Sequence, residues 1–155
     1  MREGLWRFYS PEGWLDSEGD YAGGYQSGEW IYYDQARRVV KKLTMKEGLV
    51  DGPCWIYKNG KLIGEGVMTG QTHAPVKQGD WKAYYINGRV KYTGVFVTGK
   101  KSGQFREYHD NGEIRAQGEY LNNKRVGDWI FYLRDGKSVD TARTGNYIMG
   151  KIEKK

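Results

Sequence analysis

Hydrophobic and polar positions recur along the chain in one frame, Gly-x-(Trp/Phe)-x-x-Tyr, which returns six times. The lead glycines stand at positions 4, 28, 52, 79, 103 and 127, so successive units are 24 or 27 residues apart. Phe105 replaces the tryptophan in the fifth unit, and Cys54 replaces it in the third, with Trp55 beside it. Such self-similarity at a near-constant period predicts a repeat protein in which each unit is one supersecondary element.

The second half of each unit holds a turn and a second glycine. Four units contain Asn-Gly or Asp-Gly after the frame tyrosine, at Asn59-Gly60, Asn87-Gly88, Asn111-Gly112 and Asp135-Gly136. These dipeptides are typical of type I′ hairpin turns, whose two central residues need a positive φ. A Gly-x-aromatic element follows, as at Gly118-Glu119-Tyr120, and a short polar link such as residues 99–102 leads to the next unit. Each unit therefore reads as strand, tight turn, strand and link.

This pattern predicts an all-β fold: an elongated array of about six antiparallel β-hairpins, forming a single domain over residues 1–155. A lone hairpin is marginally stable in water, so neighbouring hairpins are expected to bury the Trp and Tyr rings between them. The frame glycines are expected to mark β-bulges or places where the backbone passes close to a ring.

Two segments interrupt the repeat. The second unit has no glycine in its turn and carries a basic run at residues 37–42, and the third unit is followed by an enlarged link at residues 70–78 that contains His73. Insertions in repeat arrays often lie on the binding face. Drift in a surface loop explains both segments equally well.

Composition and charge narrow the class of protein. Glycine supplies 23 of the 155 residues and aromatic side chains 15%, which indicates an ordered, turn-rich chain. The net charge of +6 allows an acidic protein, an anionic membrane or nucleic acid as partner, but the basic residues are spread out, as on an ordinary soluble surface. The chain has neither an apolar signal-peptide core nor a stretch of 18 apolar residues, so a cytoplasmic location is expected.

The chain offers few residues for catalysis or metal binding. It has two histidines, His73 and His109, which are 36 residues apart, and one cysteine. His109 stands in a turn next to Asp110 and is interpreted as a solvated turn residue. Cys54 stands at the tryptophan position of its repeat, which predicts a small buried side chain rather than a nucleophile. We therefore expect no enzymatic activity, no catalytic residue, no cofactor and no metal.

The stretch from Gly79 to Tyr132 shows the full pattern most clearly: Gly-x-Trp-x-x-Tyr-x-x-Asn-Gly, then Gly-x-Phe, then Gly-Lys-Lys-x-Gly. This pattern resembles the MORN repeat, in particular its bacterial variant form, and the frame extends from Gly4 to Met149. The resemblance implies a binding role. Similar proteins include bacterial antitoxin or immunity proteins built of these repeats, scaffolds, dimerising rods and modules near membranes with proposed phospholipid contacts.

The leading interpretation is a non-enzymatic module that binds another protein, such as an antitoxin or immunity protein that occludes a toxin. The alternative is a self-associating structural or membrane-proximal scaffold, a homo-oligomer with anionic lipid contacts. Nucleic acid could stack on Tyr and Trp rings, but packing already accounts for the frame aromatics, so it is not expected. The candidate partner-binding residues are Trp14, Arg37, Arg38, Lys41, Lys42, Trp55, His73, Tyr85, Tyr92, Lys100, Lys101, Lys124 and Arg125.

Overall fold

A computed structural model describes residues 1–153 of the chain. Over these residues the protein is all-β, with thirteen strands and no helix. The chain divides into two compact units, residues 1–76 and residues 77 onwards. The predicted hairpin array is confirmed, whereas the expectation of a single domain stays a prediction.

Unit 1 is a meander in which each strand pairs antiparallel with the next one along the chain. Its strands are β1 (Gly4–Tyr9), β2 (Leu15–Ala22), β3 (Tyr25–Tyr33), β4 (Val39–Lys46), β5 (Leu49–Lys58) and β6 (Lys61–Gly70).

Unit 2 repeats this arrangement and ends in two short strands. Its strands are β7 (Val76–Tyr84), β8 (Val90–Val97), β9 (Lys100–Tyr108), β10 (Ile114–Leu121), β11 (Lys124–Phe131), β12 (Gly145–Ile148) and β13 (Lys151–Ile152).

The links after five of the six repeats are tight hairpin turns rather than open loops, and the exception is the enlarged link after the third repeat. Positive φ angles at two consecutive residues, as type I′ turns require, occur at Gly23-Gly24, Glu47-Gly48, Thr98-Gly99, Asn122-Asn123 and Met149-Gly150. The interpretation of residues 99–102 as a polar link was therefore wrong, because β9 begins at Lys100 directly after the turn.

The turns inside the repeats are mostly of another kind. Only Asn59-Gly60 has a positive φ at both residues, whereas Gly88, Gly112 and Gly136 have it alone. In the fourth unit the Gly88 N–H donates to the Tyr85 carbonyl at 2.9 Å, and the Asn87 Oδ1 accepts from the Arg89 N–H at 3.0 Å. The type I′ prediction was thus wrong for three of its four sites, where one glycine closes a longer loop.

Four of the six lead glycines, Gly28, Gly52, Gly103 and Gly127, form bulges, as predicted. Gly19 of β2 pairs with Trp30 of β3, but the next residue, Asp20, pairs with Ser27, so Gly28 and its neighbour bulge out of the ladder. Gly28 has a φ of 69°, which glycine adopts without steric cost.

The second glycine of the repeat has a different role, because a ring from the next repeat covers it. A Cβ added at Gly94 would lie 2.5 Å from the Phe105 ring, and one added at Gly118 would lie 2.4 Å from the Trp129 ring. Phe105 and Trp129 are at most 1% exposed. Large and small residues therefore alternate from strand to strand on this face of the sheet, which we call the ring face.

At the β4–β5 junction the large and the small side chain have changed places. The second unit has Leu43 in place of the glycine, and the residue facing it across the β4–β5 ladder is Cys54 instead of a ring. Both side chains are completely buried. Cys54 is a small buried side chain, as predicted, and Leu43 fills the space that the missing tryptophan leaves.

The frame tyrosines are less buried than expected. Tyr9 is 62% exposed, and Tyr33, Tyr84, Tyr108 and Tyr132 are only half-buried. The hydrophobic core therefore consists of the frame Trp and Phe rings and the second-strand residues beside them, and the tyrosines lie at its margin.

Candidate partner-binding surfaces

In four of the six repeats a basic residue stands two positions before the lead glycine. Its charged group lies over aromatic rings of the ring face. These cations are Arg2, Lys77, Lys101 and Arg125. The Lys101 Nζ, for example, is 5.1 Å from the centroid of the Phe105 ring and 4.7 Å from that of Tyr120. Attraction between a cation and the negative face of a ring stabilises this arrangement. The cations thus form a polar cover over the ring face.

In unit 2 a buried carboxylate, that of Glu107, binds one of the cations that lie over the ring face, Lys101. Glu107 is 6% exposed, and its side chain accepts hydrogen bonds from Arg115 at 2.6 Å and from the Tyr120 hydroxyl at 3.1 Å. The Lys101 Nζ is 4.0 Å from the same carboxylate. Burial opposes ionisation, but the bonds and charges of these three groups outweigh it and lower the pKa of Glu107. Burial and the nearby Glu107 together raise the pKa of Tyr120 to about 12.

Three of the predicted contact residues belong to this packed arrangement. Tyr92 packs against Phe105 with 6.0 Å between ring centroids, and Lys101 and Arg125 lie over the rings. Lys101 and Arg125 are strand residues of β9 and β11, not parts of links. Their contacts are internal, and a role in partner binding stays a prediction.

The basic run of the second unit does not form one patch. Arg37 lies exposed in the turn with a φ of 58°, and Arg38 pairs with Asp34 at 2.8 Å. Lys41 and Lys42 follow in β4 and project to opposite faces of the sheet. The Lys41 Nζ lies 4.2 Å from the Tyr32 ring centroid, and the Lys42 Nζ lies 3.4 Å from Glu29.

The other predicted residues of unit 1 are scattered. Trp14 is half-buried just before β2, and its carbonyl accepts the Ser10 N–H at 2.9 Å. Trp55 is half-buried in β5, where Lys42 and Glu65 pair with it on the two sides. His73 is exposed in the turn that follows β6.

Lys100 and Lys124 occupy equivalent places in unit 2, each exposed at the start of a strand after a type I′ turn. Lys151 occupies the same place at the start of β13. Each of the three lysines pairs across its turn with an apolar residue that is 49–56% exposed. We call this set the lysine edge: Lys100, Lys124 and Lys151 with Val97, Leu121 and Ile148. Tyr85 lies elsewhere, and its hydroxyl donates to the Tyr108 carbonyl at 2.8 Å.

The face of unit 2 opposite the rings holds a polar hollow that the sequence did not indicate. Its volume is 610 Å³, and its polar lining comes from Asp80, Thr93, Gln104, Arg106 and Gln117. Within the described part of the chain, the side chains of Asp80, Thr93, Gln104 and Arg106 have no hydrogen bond or ion pair. The hollow therefore presents a carboxylate, a guanidinium, an amide and a hydroxyl that are available to a partner.

Sequence reasoning also missed the cation position of the repeat. Its signal was present, because Arg2, Lys77, Lys101 and Arg125 all stand two places before a lead glycine. The hollow had no comparable signal, since it forms only when four strands, β7 to β10, are placed in register.

Residues 1–153 contain no cluster of three or more His, Cys, Asp or Glu side chains that could hold a metal ion. Over the same range, no helix is long and apolar enough to cross a membrane. The expected absence of catalysis and cofactors is untested by these findings and stays a prediction.

Comparison with known proteins identifies the repeat. The family described as MORN repeat variant matches residues 2–22 and 101–122, which correspond to the β1–β2 and β9–β10 hairpins. No curated protein matches the chain at a significant level.

A solved structure with some likeness is that of an S. aureus TarM mutant in complex with fondaparinux, alpha-GlcNAc-glycerol and UDP. It is 14% identical with a TM-score of 0.39, and the match covers 64% of this chain and 19% of that one. The two matched hairpins are similar to MORN repeats of the variant type, and repeats of this type are found in modules that generally bind protein or membrane.

Proposed function

We propose that the chain is a non-enzymatic, cytoplasmic repeat module that binds another protein and works without a cofactor. The specific role that fits best is that of an antitoxin or immunity protein, which occludes a toxin by covering its surface. The aromatic rings and most of the cations of the ring face pack against each other, so this face has few side chains left to contact a partner. A partner would therefore contact the opposite face.

The observation that carries the proposal is the polar hollow of unit 2. Protein interfaces need donors and acceptors that are held in place yet unsatisfied, and rigid strands hold them better than loops do. Asp80, Gln104 and Arg106 are exposed on β7 and β9 and meet this condition. The Arg106 guanidinium can bind an acidic side chain of a partner, and the Asp80 carboxylate in the same hollow can select its orientation.

Affinity capture with the full chain, followed by calorimetric titration of any recovered protein, tests this proposal. We expect one stoichiometric partner with a Kd below about 1 μM. Arg106→Glu should weaken binding at least about tenfold, a difference of about 1.4 kcal/mol. Lys58→Glu, an equally large charge change at an exposed site in unit 1, should leave binding unchanged. Equal effects of the two variants would contradict a site at the hollow.

The lysine edge favours a second candidate function, a membrane-proximal scaffold. Three lysines alternate with three exposed apolar side chains along one end of unit 2, and successive lysines lie two strands apart, or about 10 Å. Lysine near an anionic bilayer is worth about 1 kcal/mol per residue, and apolar side chains add to it by entering the interface.

Co-sedimentation with vesicles separates the two functions. A membrane scaffold would bind phosphatidylserine vesicles but not phosphatidylcholine vesicles, and Lys100→Glu with Lys124→Glu would abolish that binding. Arg106→Glu would have no such effect. A chain that binds neither type of vesicle is no membrane scaffold of this kind.

A further inference from the structure

Trp6 is the exception among the frame rings. It is 37% exposed, whereas Trp30, Phe105 and Trp129 are 0–1% exposed. Trp6 lies in β1, which pairs with β2 on one side and stands at an edge of the sheet. The other rings show what a strand on the open side of β1 would supply.

The junctions that bury Trp30 and Trp129 each supply the ring with a glycine and a carbonyl. Trp30 lies over Gly19, and its Nε1–H donates to the carbonyl of the next residue, Asp20, at 3.1 Å. Trp129 lies over Gly118, and its Nε1–H donates to the Glu119 carbonyl at 2.9 Å. The same two groups thus recur in both units of the chain.

The same two junctions also supply an aromatic side chain two residues after the glycine. Tyr21 meets Trp30 edge-on with 5.5 Å between ring centroids, and Tyr120 meets Trp129 at 4.9 Å. In unit 2 this aromatic pairs across the ladder with the repeat cation, as Tyr120 does with Arg125. At both of these junctions the tryptophan ring therefore lies beside a strand of sequence Gly-x-aromatic.

On the open side of β1, Trp6 has no neighbouring strand among residues 1–153, and its contacts there come from its own hairpin. Its Nε1–H donates to the Glu3 carbonyl at 3.2 Å, within its own segment. Arg2 lies over Trp6 and Tyr21 of its own hairpin, with 4.8 and 5.3 Å to the ring centroids. By contrast, Arg125 has an aromatic on both sides, Tyr120 before it and Tyr147 after it, each at 5.9 Å.

In unit 2 the last strand of sequence Gly-x-aromatic is β12, with Gly145-Asn146-Tyr147. It is covered by the two-residue strand β13, in which Ile152 pairs with Tyr147. A Cβ added at Gly145 would lie 3.2 Å from Ile152, so Ile152 occupies the place that the next repeat's ring would take. β13 is thus a short stand-in for a frame strand.

We propose that the open edge of β1 binds β12 of a second copy of this chain, with β13 of that copy displaced. The register follows the β2–β3 junction: Gly145 of the second copy opposite Trp6, Asn146 opposite Glu3 and Tyr147 opposite Arg2. The exchange replaces a two-residue strand by a six-residue one and covers the exposed Trp6 ring. The interface is head-to-tail and leaves one β1 and one β12 free, so further copies can add. This inference is independent of the proposed function.

Disulfide trapping tests the register directly. The full chain is made with Glu3→Cys in one preparation and Asn146→Cys in another, and the two are mixed with diamide as oxidant. Residues opposite each other on paired strands lie within disulfide reach. We expect the mixed disulfide to form at least tenfold faster than between Lys58→Cys and Asn146→Cys, since Lys58 is exposed but remote from β1. Equal rates overturn the proposal.

Sedimentation velocity across a concentration series tests the energetics. Ile152→Glu weakens the stand-in strand and is expected to lower the concentration needed for association at least tenfold. Trp6→Glu in that background should return the chain to monomer, whereas Tyr9→Glu, also exposed on β1, should not. Monomers at every concentration in both the native chain and Ile152→Glu, or association insensitive to Trp6→Glu, overturn the proposal. If Trp6→Glu does not fold, the trapping rates decide.

Discussion

At the scale of single residues, backbone strain falls on turn positions that are not glycine. Arg37, Glu47 and Thr98 have φ angles of 58°, 50° and 47°, in the left-handed region. A β-branched residue is the least suited to this region, because its Cβ substituents crowd the backbone. Thr98 therefore costs stability at a position where its side chain is exposed to solvent.

Thr98→Asn is expected to stabilise the protein by about 0.5–1 kcal/mol, because asparagine tolerates positive φ and the turn keeps its hydrogen bonds. Urea unfolding followed by tryptophan fluorescence would measure the gain. Thr93→Asn, the same replacement in extended strand β8, serves as the control and should not stabilise. A loss of stability in Thr98→Asn would show that the threonine side chain has a role in the turn.

Glu107 gives the protein a pH-dependent stability. Its pKa is lower in the folded protein than in the unfolded chain, despite burial, because of Arg115, Lys101 and Tyr120. The folded state therefore binds its proton less readily, and this contribution is present above the unfolded pKa of about 4.3. It is lost as the pH falls through the folded value.

Glu107→Gln is expected to cost about 1–3 kcal/mol at neutral pH, because Arg115 loses its charged acceptor. The difference from the native protein should shrink as the pH is lowered from about 6 towards about 2. Urea unfolding at each pH measures this, with Glu119→Gln as an exposed control. A difference that does not change with pH would mean that packing, not charge, is responsible.

At the scale of elements, the hairpins fit together by alternation of ring and glycine. A ring can lie flat on the neighbouring strand only where that strand has no Cβ, as Phe105 does on Gly94. The β4–β5 junction obeys the same rule with reversed sizes, since Leu43 faces Cys54. Total volume is conserved across the junction, which is what a close-packed core demands.

A double-mutant cycle tests this exchange. Cys54→Trp should destabilise the protein by about 1–3 kcal/mol or more through overpacking against Leu43. Leu43→Gly should cost about 2–5 kcal/mol through the cavity it leaves. The double variant restores the pair found at the other junctions and should be more stable than either single variant. Additive losses, measured by urea unfolding, would refute the coupling.

Much of the structure of the strands and hairpins could be predicted from the sequence. The strands, the bulges at lead glycines and the burial of Cys54 follow from local chemistry and from the repeat period. The turn types could not be predicted, because strand pairing on both sides imposes type I′ geometry even on Glu47-Gly48 and Thr98-Gly99. Local propensity is overridden there by the ladder.

The candidate site was harder to predict. Asp80 and Gln104 are 24 residues apart, and whether they converge depends on how far the bulge at Gly103 shifts the register. Lys101 and Arg125 were chosen for their charge, yet the ladder places them over rings. Residue type indicated what could bind, whereas strand register determined which side chains face solvent.

At the scale of the whole molecule, the strands within each unit pair with their neighbours in sequence. Stability in such arrays is a sum of local interfaces, so opening should proceed from strands with one partner or few pairs. Amide hydrogen exchange should therefore be faster in β1 than in β3 and β4, and faster in β12 and β13 than in β9 and β10. Uniform protection, measured by mass spectrometry, would instead indicate all-or-none unfolding.

The pair of Leu43 and Cys54 also fixes the order of the repeats. A duplication or deletion of one 24-residue unit elsewhere would join a glycine to a ring and leave the packing intact. One that separated the second unit from the third would place the frame ring of another repeat over Leu43. It would also set Cys54 against the glycine of a preceding repeat, so that neither a ring nor a leucine fills the space between them. The second and third hairpins can therefore be inherited only together, as a single block within an otherwise interchangeable series.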